Sequence, residues 1–448
     1  GLGGIVLSKA VPTFDDEILI PVFGHKTILS DSFSPFNDAA KSGLSCLFPL
    51  TWVYFHPLSP WEDALFDKTR KSVQQEGERS TRNSKFSEDM KMSTPSLLGL
   101  SLPALEELLR PLGLKAFQVR QIYRWMYNAR RLQPREMTNI SKTLRETLEK
   151  SYSWEPLVLE KTALSQDGSE KMLFRLPDGH RVETVYIPEK ERKTFCLSTQ
   201  VGCKFRCRFC HTGAMGFRRN LTGQEIVFQL LFALNRYSLP PTERINIVFM
   251  GMGEPLENLP ALKEALPVIT DPEGIAVSTR RITLSTLGIA DKLEEFIRLF
   301  PAVKVALSLH FPTPEGRLLY MPAQRVHPVE ESLDLLRRLK ERLRHRVTFE
   351  YIMLRGVNDS LEDALALEKL TRGIPRKFNL IPFNPFPGSP LLPSSPEKVD
   401  LFAERLRKSG FVVTVRESRG QDVQASCGNL FALAEETTTL EEERPKEG

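Results

Sequence analysis

TFCLSTQVGCKFRCRFC, running from Thr194 to Cys210, decides how this chain is read. Cys203, Cys207 and Cys210 form a C-x3-C-x2-C pattern just behind an apolar segment that fits a strand. Three thiolates on one short loop can each take one iron of a 4Fe–4S cubane and leave the fourth iron open. The competing reading is structural zinc, which takes four ligands, usually from two paired knuckles. No second cysteine pair exists, and His211 adjoins Cys210, an awkward placement for closing a tetrahedron. The spacing points to iron and sulfur, and such a centre implies a reducing compartment.

Outward from this loop the pattern becomes strand then helix, repeated. Strands are predicted at Phe195–Ser198, Ile245–Met250, Arg281–Ser285, Val303–Leu309, Val347–Met353 and Phe378–Ile381. Helices are predicted between them, at Thr222–Tyr237, Leu256–Ile269, Asp291–Phe300, Val329–Leu343 and Leu361–Thr371. Six βα units give an α/β fold with a parallel sheet, open or curved into a partial (β/α)6 barrel, and place functional groups just after the strand ends. Before the loop, 153–193 reads as a short antiparallel β extension around a Gln-Asp-Gly turn. Residues 90–152 read as a small helical domain with apolar residues at helical spacing, such as Val119, Ile122, Tyr123, Met126 and Tyr127.

The ends of the chain read differently. Lys68–Glu88 is almost wholly polar, as a disordered segment would be, and 1–89 is expected to be an extension, with Met90 or Met92 as a natural start. Its acidic residues run against a transit peptide. The remaining 435–448 is an acidic tail, and Cys46 has no motif context. Removing the nine basic and twelve acidic residues of 1–89 and the two and six of 435–448 leaves 50 basic and 38 acidic residues in the body. A basic body suits a polyanion such as RNA. Candidate RNA contacts are Arg120, Arg124, Arg218, Arg219, Arg280, Arg281 and the helix rich in Arg and Lys from Arg337 to Arg346. No apolar run reaches membrane-spanning length, so no membrane partner is expected.

The cysteine loop and its surroundings, Cys196-Leu-Ser-Thr-Gln-Val-Gly-Cys203 and His211-Thr-Gly-Ala-Met-Gly-Phe-Arg-Arg-Asn-Leu-Thr, resemble the radical S-adenosylmethionine (SAM) superfamily. Within it they are most similar to the dual-specificity adenine-C2 RNA methyltransferases, over roughly Leu100 to Ala434. The resemblance implies a radical SAM core over 194–434, with 90–152 as an RNA-binding accessory domain. It implies a 4Fe–4S cluster on Cys203, Cys207 and Cys210, and two SAM molecules per turnover. SAM contacts fall on Gly253 and Glu254 in Met250-Gly-Met-Gly-Glu-Pro-Leu256, on Ser285, on Ser308-Leu309-His310 and on Asn384, each of which could by itself simply cap a strand end.

C2 of adenine is electrophilic, so direct transfer from the sulfonium fails. The resemblance therefore implies that Cys427 carries the methyl group, that Glu183 accepts the C2 proton, and that Cys196 releases product as a Cys196–Cys427 disulfide. By residue type alone Cys427 would be a small core residue and Glu183 a surface carboxylate. Implied partners are 23S rRNA, tRNA and an external electron donor such as flavodoxin, for a cytoplasmic monomer. Adenine-C8 methylation of the same rRNA, a radical SAM enzyme without RNA, and an iron–sulfur electron carrier are the alternatives.

Overall fold

A computed structural model of the chain describes residues 94–431. The readings of 1–89, of Met90 or Met92 as a start, of Cys46 and of the acidic tail lie outside the described residues.

Three helices come first: α1 (Leu102–Leu109), α2 (Ala116–Tyr127) and α3 (Lys142–Ser151). The apolar stripe of α2 is buried. Tyr127 joins α2 to the preceding turn, its hydroxyl accepting from the Gly99 N–H and donating to the Leu100 carbonyl, each at 2.8 Å. Strands β1 (Val158–Leu164), β2 (Glu170–Arg175) and β3 (Arg181–Pro188) then form an antiparallel meander, and β4 (Lys193–Cys196) pairs antiparallel with β3. A two-stranded hairpin, β5 (Gln200–Gly202) with β6 (Phe217–Asn220), brackets the cysteine loop and the short α4 (His211–Ala214).

The remaining elements alternate. They are α5 (Gly223–Arg236), β7 (Ile245–Phe249), α6 (Leu259–Thr270), β8 (Ile282–Thr286), α7 (Ala290–Leu299), β9 (Lys304–Ser308), α8 (Pro314–Tyr320), α9 (Val329–Arg338), β10 (Val347–Met353), α10 (Leu361–Leu370), β11 (Arg376–Pro382), α11 (Pro396–Lys408) and β12 (Val413–Val415). One ten-stranded sheet runs β1-β2-β3-β4-β7-β8-β9-β10-β11-β12, parallel from β4 onward. All six predicted strands are present. The seventh parallel strand, β12, and the helix before it lie beyond the last predicted element, because a three-residue Val-Thr-Val shows no usable period.

Fully covered parallel strands usually carry continuous apolar runs. Here β7 and β8 alternate instead: Ile245, Ile247, Phe249, Ile282 and Leu284 are buried, whereas Asn246, Val248, Thr283 and Ser285 are half-buried. The helices cover one face only, and the other lines an interior. That interior exists because the sheet curls. β7 and β12 are five sheet steps apart, about 24 Å if flat at a strand spacing of ~4.8 Å. Yet Arg416, next after β12, puts a guanidinium nitrogen 3.7 Å from the sulfur of Met250, next after β7.

The antiparallel extension is locked onto the first core helix. Glu170 of β2 accepts hydrogen bonds from Arg236 at 2.7 Å and from the Tyr237 hydroxyl, and Tyr237 stacks on Tyr186 of β3 with centroids 3.8 Å apart. Burial alone would raise the Glu170 pKa, but the bonds from Arg236 and Tyr237 hold it below the ordinary carboxylate value of 4.5. A depressed folded pKa stabilises above the unfolded value and loses that contribution as pH falls through the folded one. Glu170→Gln is expected to lower unfolding free energy by about 2 kcal/mol at pH 7. In denaturant titrations the gap to the parent should close as pH drops below 4.5; a gap that persists in acid would mean that the charge does not matter here.

Candidate functional site

The hairpin β5–β6 sets the mouth of the cysteine loop. Gly202 has φ of +72°, and a Cβ there would lie 1.8 Å from the Gly216 carbonyl oxygen, so only glycine fits. That carbonyl accepts from the Cys203 N–H at 3.0 Å, and Cys207 accepts from the Cys210 N–H at 3.0 Å. All three thiols line a cavity of about 170 Å³. Burial pushes the Cys203 thiol up to about 12 and raises Cys207 and Cys210 as well, with repulsion from neighbouring thiols adding to each. A bound metal that takes thiolates removes that cost. Among the described residues no three His, Cys, Asp or Glu side chains converge as they would around a single ion. Three thiols of one short loop lining one cavity suit a cubane, which takes one thiolate per iron, better than a zinc tetrahedron.

The strand ends supply the opposite wall. After β7, Gly253 has φ of +98° and its Cα packs on Gln200, whose Oε1 accepts from the Glu254 N–H at 2.8 Å. Glu254 is buried, its carboxylate accepting from Leu256 N–H at 3.0 Å and Leu287 N–H at 2.9 Å, and burial still raises its pKa to about 7. No basic side chain pairs with it among the described residues, so a cationic group entering the cavity would satisfy it. Ser285 and Ser308, at the ends of β8 and β9, lie hydroxyl to hydroxyl at 3.3 Å and line the same cavity. His310 lines it too; its Nδ1 accepts from the Ile352 N–H at 3.2 Å, and burial drives its pKa down to about 3, so the ring is neutral. Leu309 is buried beside them without lining the cavity.

A residue of no sequence prominence braces these turns. Arg317 is fully buried and donates to the carbonyls of Ser308, Leu309 and Leu287 at 2.6–2.7 Å. Nothing in Pro314–Tyr320 distinguishes it from a solvated arginine.

The C-terminal segment closes the site. Cys427 lines the main cavity, together with the three loop thiols, and a smaller neighbouring one that also holds Asn384. Asn384 donates to the Cys427 carbonyl at 3.2 Å. The cysteine loop grips the same segment: His211 N–H donates to the Gly428 carbonyl and Thr212 Oγ1 to the Leu430 carbonyl, both at 2.6 Å. The His211 ring stacks between Phe386 and Phe431, at 4.7 and 3.8 Å. Cys196 ends β4, buried and outside the main cavity's lining, with its thiol pushed up to about 12 by burial and then by the charge of Cys427.

Arg416 lies at this junction and lines both cavities. Its guanidinium is held above its ordinary pKa chiefly by Cys427, with Glu350 and Cys196 adding, and has no ion pair among the described residues. Glu183 sits on β3, 3% exposed rather than at a solvated edge. Its carboxylate pairs with Lys171 at 2.9 Å and accepts from the Phe431 N–H at 2.8 Å, four residues beyond Cys427. Lys171 and Glu183 are diagonal neighbours across β2 and β3, a relation visible only once the register is known.

Several arginines of the basic surface have acidic neighbours within the chain. Arg120 and Arg124 both pair with Glu273, Arg219 with Asp178 and Glu225, and Arg337 with Asp334 and the carbonyls of Leu370 and Arg372. Arg120 and Arg124 remain more than half exposed despite these pairs, and Arg218 is exposed and carries no such pair.

Comparisons with known proteins agree with this geometry. The model of the Radical SAM superfamily matches residues 197–367, and that of the ribosomal RNA large subunit methyltransferase N-terminal domain matches 96–153. The dual-specificity RNA methyltransferase RlmN of Campylobacter fetus is 41% identical over 348 residues, covering 75% of this chain and 97% of that protein. That of Pelobacter propionicus is 44% identical over 334 residues, covering 75% and 95%. A crystal structure of a radical SAM methyltransferase from Sphaerobacter thermophilus is 40% identical, with a TM-score of 0.72 over 76% of this chain and all of that one. With three loop thiols and Cys427 around one cavity and identities of this size over nearly the whole of each relative, this chain belongs to the dual-specificity RNA methyltransferases of the radical SAM superfamily.

Proposed function

We propose that the chain methylates C2 of adenosine in 23S rRNA and tRNA, with Cys427 as the methyl carrier. The observation that carries this reading is the position of Cys427: a fourth thiol, on a distant segment, facing the cavity lined by Cys203, Cys207 and Cys210. A structural cysteine has no reason to face that cavity. Cys203, Cys207 and Cys210 would hold the 4Fe–4S cluster. Gly253, Glu254, Ser285, Ser308, Leu309, His310 and Asn384 would position SAM, with buried Glu254 accepting its ammonium group. When bound, the cluster and two SAM molecules per turnover supply a transferable methyl group and a one-electron cleavage that creates a hydrogen-abstracting radical.

The protein's own share follows from its side chains. Cys427 forms an S–C bond to the methyl group and loses its thiol proton, with the Arg416 guanidinium lining the same two cavities. Once that carbon is joined to adenine C2, Glu183 takes the C2 proton, with Lys171 compensating the carboxylate charge. Cys196 then attacks the Cys427 sulfur, the S–C bond breaks toward the RNA, and the two sulfurs are left as a disulfide that an external thiol reductant reopens. On this reading 90–152 is the RNA-binding accessory domain, 153–193 the β linker and 194–434 the catalytic core of a monomer. No helix among the described residues is long and apolar enough to cross a membrane, which accords with action on RNA in the cytoplasm.

Anaerobically reconstituted protein, given SAM, a reductant and a 23S rRNA fragment or tRNA, is expected to yield 2-methyladenosine on mass analysis of the digested RNA. Methyl at C8, or on no RNA, overturns the reading. Cys427→Ala should form no product, whereas Cys196→Ala should stall with protein joined to RNA, visible as a shifted band on a denaturing gel. Glu183→Gln should still load a methyl group on Cys427, seen in the intact protein mass, while RNA methylation falls by about 100-fold or more. An unmethylated Cys427 in that variant would mean that Glu183 acts earlier.

A further inference from the structure

The cysteine loop has two faces. Of its eight residues, Cys203, Phe205, Cys207, Phe209 and Cys210 line the cavity. The other three, Lys204, Arg206 and Arg208, are all exposed and all basic. Lys204 pairs with Glu257 and covers the Phe205 ring. The side chains of Arg206 and Arg208 have no partner among the described residues. Arg206 adopts φ of +49°, which turns the chain there.

Apolar side chains adjoin these cations. The Arg208 N–H donates to the Tyr320 carbonyl at 2.9 Å, and Tyr320 follows Leu318 and Leu319, which are 40% and 52% exposed. The Phe205 ring meets that of His327, and the preceding Val326 is 72% exposed.

We propose that this outer face is the docking site of an acidic one-electron carrier protein, which passes one electron at a time through the loop to the cluster. The inference rests on the loop holding a reducible cluster. Cys203, Cys207 and Cys210 face the cavity and Lys204, Arg206 and Arg208 face solvent, so a donor seated here lies across one loop's width from the thiols. In the transfer the donor is oxidised by one electron and the cluster reduced by one. Charge attracts an acidic partner, and the neighbouring exposed leucines and valine suit a protein surface better than a sugar–phosphate backbone. RNA, whose target base must enter the cavity, has no need of the loop's back.

The test uses the full chain, reconstituted anaerobically, as parent, R206E/R208E and R206K/R208K. Cluster bleaching by reduced flavodoxin is followed in stopped flow at low and high ionic strength, and tRNA affinity by filter binding. In R206E/R208E the bimolecular rate should fall by about ten-fold at low salt, with the difference shrinking at high salt. R206K/R208K should keep the parent rate. Methylation driven by dithionite and the affinity for tRNA should not change. An unchanged flavodoxin rate overturns the proposal, and weaker tRNA binding with an unchanged flavodoxin rate assigns the face to RNA instead. Failure of the parent to methylate RNA with dithionite would count against the proposed function and leave the docking rates readable.

Discussion

The curl of the parallel sheet is the constraint on which the site depends. Flat, the end of β4 and the end of β12 would lie some six strand spacings apart, about 29 Å. Curled, Cys196 at one end and Cys427, beyond β12, at the other come within electrostatic reach of each other and of Arg416. The curl also explains the alternation in β7 and β8. A strand with helices on one side and a ligand cavity on the other needs apolar residues on only one face.

A cavity of this kind is costly to leave empty. Three thiols, a neutral histidine and a carboxylate of raised pKa are all desolvated along its walls. Burial disfavours the charged form of each; a bound cluster would take the thiols as thiolates, and a cationic group would satisfy the carboxylate. The walls are accordingly rigid. Arg317 binds three strand-end carbonyls, Gly202 allows the hairpin to close on Gly216, and the cysteine loop is bonded directly to the segment carrying Cys427. The three loop thiols and Cys427 are thus held in one frame by direct bonds between the segments that carry them.

What could be read from sequence was what is local. Cys203, Cys207 and Cys210 announce themselves because a cubane needs thiolates within one loop, and the six strand–helix repeats announce the parallel sheet through their periods. By residue type alone Glu183 and Cys427 looked like a surface carboxylate and a core thiol. Resemblance singled them out, and the structure shows both buried or facing the cavity.

Tertiary structure alone decided the rest. Lys171 reaches Glu183 only through the register of β2 and β3, Arg416 meets Cys427 only through the curl, and Arg120, Arg124 and Arg219 prove to have acidic partners within the chain. The physical reason is common to all of them. A charged side chain's role is set by what lies within a few ångströms of it after folding, and the chain's order carries no record of partners that are tens or hundreds of residues away.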